Sequence, residues 1–118
     1  MGNKNNSKLQ EALFSAWSLQ SSTRWQSDNP ALGQCGVTAL VAQDNLGGVI
    51  LKTRYGDLWH FYNLIEGVSV DFTASQFDDK ITYDDIPANR EEAFADTNKD
   101  QYDYLSSAVG LKVSSNTQ

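Results

Sequence analysis

Apolar residues recur with helical spacing at Leu9, Ala12, Leu13, Ala16 and Trp17, and Ser7-Lys8-Leu9-Gln10 ahead of them has the form of a capping box, the Ser7 hydroxyl facing the Gln10 amide. The pattern predicts an amphipathic first helix opening at Ser7. From Gln20 to Leu32 the chain is polar and aperiodic, and Asn29-Pro30 imposes a turn or extended conformation, so this stretch reads as a loop with Trp25 as its anchor. A second helix is expected from Gly33 to Leu46, apolar at Val37, Ala39, Leu40 and Val41 and closed by Gly47-Gly48, which suits a left-handed exit. Cys35 falls in its first turn.

Three antiparallel strands follow in the pattern: Val49–Tyr55, Leu58–Ile65 and Val68–Phe72, separated by the turn signals Gly56-Asp57 and Glu66-Gly67. Val68, Val70 and Phe72 are expected to enter the core, with Ser69, Asp71 and Thr73 on the other face. Beyond Phe72 the signals weaken to a turn of helix over Thr73–Phe77 and a short strand or extended piece at Ile81–Tyr83. Arg90–Ala95 and Asp100–Val109 read as helices, the latter stopped by Gly110.

A chain of 118 residues accommodates one core and one site, so a single domain over 1–118 is expected, with 1–6 and 114–118 as frayed ends. Apolar residues make up 40% and charged residues 20%, an ordinary globular balance. The net charge is −6, and nine Lys and Arg are scattered singly, which leaves no basic stripe for nucleic acid. A lone cysteine forms no internal disulfide, and no run of eighteen apolar residues exists to cross a bilayer. Met1–Ser7 lacks the apolar stretch of a secretory signal, and Asn6 breaks the myristoylation pattern; the expectation is a cytoplasmic protein with no membrane partner.

The candidate chemistry begins at Cys35. At a helix start, the dipole and the free first-turn amides favour a thiolate, and Gly33 and Gly36 leave room for a carbonyl to approach. His60 is the only histidine. A two-residue turn at Glu66-Gly67 would pair Ile65 with Val68 and Tyr62 with Asp71, placing His60 diagonal to Asp71 on one face. Cys35, His60 and Asp71 are therefore the expected nucleophile, base and orienting acid. Each has a plain structural reading as well: a small buried hydrophobe, a half-buried strand histidine and an exposed strand charge. Metal ligation and phosphate binding lack the required spacings, so no cofactor is expected. Asp78-Asp79 and Asp84-Asp85 read as solvated turns, and Trp17, Trp25, Trp59, Phe61 and Tyr62 as core or site-wall aromatics.

The motifs Asn29-Pro30-Ala31-Leu32-Gly33-Gln34-Cys35, His60-Phe61-Tyr62-Asn63 and Asp71-Phe72-Thr73 with Gln76-Phe77 resemble, in order and spacing, the bacterial YunG family of small proteins without assigned activity. The order of Cys at a helix start, His on a strand and Asp on the next strand is also similar to the papain-like core of transglutaminase-like, arylamine acetyltransferase and NlpC-type peptidase proteins. That resemblance implies an α+β fold, with N-terminal helices packed on a small antiparallel sheet and a C-terminal helix. It implies acyl transfer through a thioester, with Gln34 or Asn29 as candidate oxyanion donor, beside which Gly36, Trp59 and Tyr62 are expected from the residues themselves to line the site. The expected function is a cysteine hydrolase or acyltransferase acting on a peptide or small-molecule amide or thioester. The alternative is a non-catalytic module that binds a peptide or small ligand in the same groove.

Overall fold

A computed structural model describes residues 3–115, and the side chains of residues 5–113. The chain is α+β. Its elements are α1 (Asn3–Ala16), α2 (Cys35–Leu46), β1 (Val49–Tyr55), β2 (Leu58–Ile65), β3 (Val68–Val70), a 3₁₀ turn (Ala74–Gln76), β4 (Ile86–Ala88), α3 (Arg90–Phe94) and α4 (Lys99–Ser115). The strands form one antiparallel sheet in the order β3-β2-β1-β4.

Two tight turns set the register. Glu66 and Gly67 both take positive φ, 52° and 80°, which gives the turn a twist that suits the flanking strands and pairs Ile65 with Val68. Gly56, at φ 62°, helps to close the β1–β2 hairpin with Tyr55 opposite Leu58. Because side chains alternate, the β1–β2 ladder puts Ile50, Lys52, Arg54, Trp59, Phe61 and Asn63 on one face and Leu51, Thr53, Tyr55, His60 and Tyr62 on the other. Helix α2 packs on the first face, where the Asn63 amide donates to the Ala39 carbonyl oxygen at 3.0 Å.

The core lies between that face and the helices. One cluster joins Leu9, Leu13 and Trp17 of the N-terminal segment to Val37, Val41, Phe72, Leu105 and Val109; another joins Leu40, Ile50, Phe61 and Ala93. Fully burying such a Leu, Val or Phe side chain stabilises the fold by about 1.5–3 kcal/mol, so these two clusters supply most of the driving force that seats α2 against the sheet. Trp17 satisfies its indole N–H on Thr38 Oγ1 at 2.9 Å, tying the end of the first segment to α2.

Several expectations change at the ends of elements. Helix α1 begins at Asn3, so Ser7 lies inside it rather than capping it, and residues 3–6, expected to fray, are helical. The capping box of this chain is at α3 instead: Asn89 accepts from the Glu92 amide while Glu92 accepts from the Asn89 amide. Helix α4 runs through Gly110 to Ser115, since a glycine with open space around it loosens a helix without ending it; residues 116–118 of the expected frayed end lie outside the described residues. The fourth strand forms at Ile86–Ala88 and not at Ile81–Tyr83, because Ile86 and Ala88 pair with Lys52 and Ile50 of β1. Val68 is 61% exposed rather than in the core; it belongs to a short edge strand with no layer above it.

Candidate functional site

The hairpin register brings His60 and Asp71 together. Strand pairing ends at Asn63 with Val70, which leaves Asp71 one step further along, on the face that carries His60 and Tyr62. His60 Nε2 lies 2.7 Å from Asp71 Oδ2, with side chains only 3% and 7% exposed. The carboxylate is held from three more directions: the Thr73 amide (3.1 Å) and Thr73 hydroxyl (3.2 Å) donate to Oδ1, and the Tyr83 hydroxyl donates to Oδ2 at 2.7 Å. A buried acid so fully bonded is fixed in place, and it fixes the imidazole tautomer in turn. With Nε2 on Asp71, Nδ1 is the ring nitrogen left for a second partner.

Aromatic rings surround this pair. Phe77 meets the His60 ring edge-on at 4.8 Å, and Tyr62 stacks against it at 5.9 Å. The outer side of the same sheet face is closed by Asp84 and Asp85. Thr53 Oγ1 donates to Asp84 Oδ2 at 2.9 Å, and the Tyr62 hydroxyl donates to Asp85 Oδ1 at 2.7 Å. The pair Asp84-Asp85 is exposed, as expected of solvated acids, but it also anchors the segment that carries Tyr83, and Asp85 accepts the positive φ of 55° that this requires. Burial, together with the hydrogen bond to Asp85, pushes the Tyr62 hydroxyl well above its usual range, and burial beside Asp71 does the same to Tyr83.

Cys35 opens α2 and is half-buried. It reaches the stretch of β2 that β3 no longer flanks, where the Phe61 backbone hydrogen-bonds to the sulfur. Cys35 and His60 both line one open cleft of about 440 Å³ at the hairpin end of the sheet. Its apolar wall includes Tyr55, Leu58, Trp59 and Phe77; Arg24, Asp57, Glu92 and Asp96 supply charge. Lys52 and Arg54 lie over the Trp59 ring, at 4.4 and 4.8 Å from its centroid, and hold it at the rim.

The sulfur's hydrogen-bond acceptor is Asp96: Sγ donates to Asp96 Oδ2 at 3.5 Å, and the same oxygen accepts the Gly36 amide at 3.1 Å. This reverses the expectation of a lowered thiol. Burial, reinforced by the charge of Asp96 and more weakly of Asp71, pushes Cys35 well above the usual thiol range, and the Phe61 hydrogen bond offsets only part of that. The Asp96 carboxyl is itself raised by burial, against the opposing influence of Cys35, the Gly36 amide, Arg24 and His60.

The remaining candidates divide. Trp59 lines the cleft, as expected. Gln34 is fully buried at the α2 N-cap, and Asn29 donates its amide to the Gln76 carbonyl oxygen at 3.2 Å; neither lines the cleft, so neither is placed as an oxyanion donor. Gly36 presents its amide to Asp96. Tyr62 faces a smaller cavity shared with Ser69, Asp71 and Tyr83. Asp96 and Tyr83 escaped sequence reasoning, and Phe77 entered it as part of the Gln76-Phe77 motif and not as a site residue. Asp96 comes from the α3–α4 connection, sixty-one residues from Cys35, and no periodicity or motif marks it.

Among the described residues, no group of three or more His, Cys, Asp or Glu is arranged to hold a metal ion, and no helix is long and apolar enough to cross a membrane. A family model described as "YunG protein" matches residues 5–114. The chain is 52% identical over 103 residues to a Bacillus subtilis (strain 168) protein described as "Uncharacterized protein YunG", covering 87% of this chain and 90% of that one. No solved structure matches it significantly.

Proposed function

The chain belongs to the YunG family, and on that premise we propose that it is a papain-like cysteine hydrolase or acyltransferase, working on an amide or thioester through an acyl-enzyme. The observation that carries the reading is the buried His60–Asp71 hydrogen bond of 2.7 Å, made by a histidine that lines the same cleft as Cys35. A histidine oriented by a carboxylate beside a thiol is the arrangement that nucleophilic catalysis requires. In the scheme, His60 Nδ1 takes the Cys35 proton and the thiolate attacks the substrate carbonyl carbon. The resulting oxyanion collapses as the amine or thiol leaves with the proton from His60. Water or an amine, deprotonated by His60, then releases the acyl group. Asp71 keeps the ring in register and stabilises its cation. The wall formed by Tyr55, Leu58, Trp59 and Phe77 fits an apolar acyl portion, and the carboxylates across the cleft fit a neutral or cationic leaving group.

The test is intact-mass analysis after exposure to p-nitrophenyl acetate and longer-chain homologues. A single acyl adduct is expected, mapping to Cys35, absent in Cys35→Ser and faster to form with the longer chains. No adduct, or one elsewhere in the chain, sinks the proposal. The competing reading, a non-catalytic module that binds a peptide or small ligand, is favoured by one observation, the raised thiol bonded to Asp96. It predicts ligand binding in the cleft that Cys35→Ser leaves intact, with no adduct in the wild type.

A further inference from the structure

Asp96 has no role in that scheme, yet it occupies the place where the scheme begins. Its Oδ2 accepts both from the sulfur that must lose its proton and from the Gly36 amide of the first turn of α2. The residue after Cys35 is shaped by this contact. A Cβ at position 36 would lie 2.6 Å from Asp96 Oδ2, 2.7 Å from Asp96 Cβ and 2.9 Å from the Ala93 carbonyl oxygen. Two of those three atoms belong to Asp96, so glycine is what lets this carboxylate lie down on the helix start. Asp96 is exposed as a residue, on the short connection between α3 and α4 outside the sheet and both core clusters, while its carboxyl end is turned inward onto Cys35 and the Gly36 amide. Its side chain belongs to neither of the core clusters that hold α2 against the sheet.

We propose that Asp96 is an inhibitory partner of Cys35: it holds the sulfur as a thiol and covers the Gly36 amide, and a carbonyl-bearing ligand entering the cleft displaces it from both. The exchange breaks no covalent bond. The S–H hydrogen bond passes from Asp96 Oδ2 to His60, and the amide passes from Asp96 to the ligand oxygen. The raised thiol of the resting protein agrees with this, since Asp96 is the largest charge contribution to it. The other charged or titratable groups of the cleft are His60 on β2, Arg24 in the loop before α2, Glu92 on α3 and Asp57 in the β1–β2 turn, and Asp71 beyond β3 adds a weaker charge influence on the sulfur. Among them Asp96 alone hydrogen-bonds to it. The purpose of the device rests on the acyl-transfer reading, but its existence is testable without turnover.

The experiment is the rate of Cys35 alkylation by iodoacetamide against pH in the full chain, comparing wild type with Asp96→Asn and Asp96→Ala. Asn keeps the size of the side chain and an acceptor for the Gly36 amide, so a defect in folding does not obscure the result. In both variants the midpoint of the profile is expected at lower pH, with the rate at neutral pH up by roughly tenfold, the factor that a one-unit shift in thiol pKa gives. An unmoved or higher midpoint overturns the proposal, and so does a uniform rise at every pH, which would report easier access alone. Failure of the acyl-enzyme reading shows separately, as absence of the ester adduct with the alkylation profiles still displaced.

Discussion

At the scale of single residues, the site is a contest between two carboxylates for two different partners. Asp71 has four hydrogen bonds, from three residues, and serves His60; Asp96 has two and restrains Cys35. Asp96 bears a cost for its position, because its carboxyl is raised by burial. The folded protein binds that proton more tightly than the unfolded chain does, so the contribution of Asp96 to stability is complete below the ordinary carboxylate value of 3.8 and is lost as pH rises through the higher folded value. Asparagine does not titrate. The thermal midpoint of Asp96→Asn relative to wild type is therefore expected to climb as pH rises from below 3.8 toward neutrality and then to level off. A gap that narrows over that range contradicts the assignment.

At the scale of elements, α2 and the two hairpins were legible in the chain because local chemistry decides them. Gly47 and Gly48 take positive φ of 76° and 80°, and with ψ −156° at Gly47 the helix exit is not left-handed helical but a conformation open to glycine, while the Glu66-Gly67 turn fixes the pairing that carries Asp71 to His60. What escaped depends on contacts distant in sequence. Strand β4 exists only because Ile86 and Ala88 find β1, and a proline in its middle hides it from any pattern search. Asp96 and Tyr83 likewise depend on distant contacts, Asp96 on the packing of α3 and Tyr83 on the bonds that Asp84 and Asp85 accept from β1 and β2. The raised state of Cys35 was unreadable for the same reason: its position at a helix start is local, whereas its burial against β2 and Asp96 is not. Gly48 offers a test of the α2–β1 junction that delivers Cys35 to the sheet. A Cβ there would meet the Leu64 carbonyl oxygen at 2.0 Å, in backbone at positive φ. Gly48→Ala is expected to cost about 1–2 kcal/mol for the backbone conformation and about 1–3 kcal/mol more for the overlap, read from urea unfolding. A change within about 0.5 kcal/mol, ordinary for a surface site, would show that the junction is not packed this way.

At the scale of the whole molecule, a small antiparallel sheet presents its two faces to different tasks. One face seats α2 and the core; the other carries the His60–Asp71 pair under an aromatic cover, and the cleft that Cys35 and His60 both line lies at the hairpin end. The account stands on these groups acting as one unit. Its most direct measurement is a double-mutant cycle on the rate at which Cys35 is acylated by p-nitrophenyl acetate, using His60→Ala, Asp71→Asn and the pair together at matched folded fraction. If Asp71 acts through His60, each single variant slows acylation and Asp71→Asn costs almost nothing once His60 is gone. Additive losses, or acylation as fast in His60→Ala as in wild type, would contradict the account.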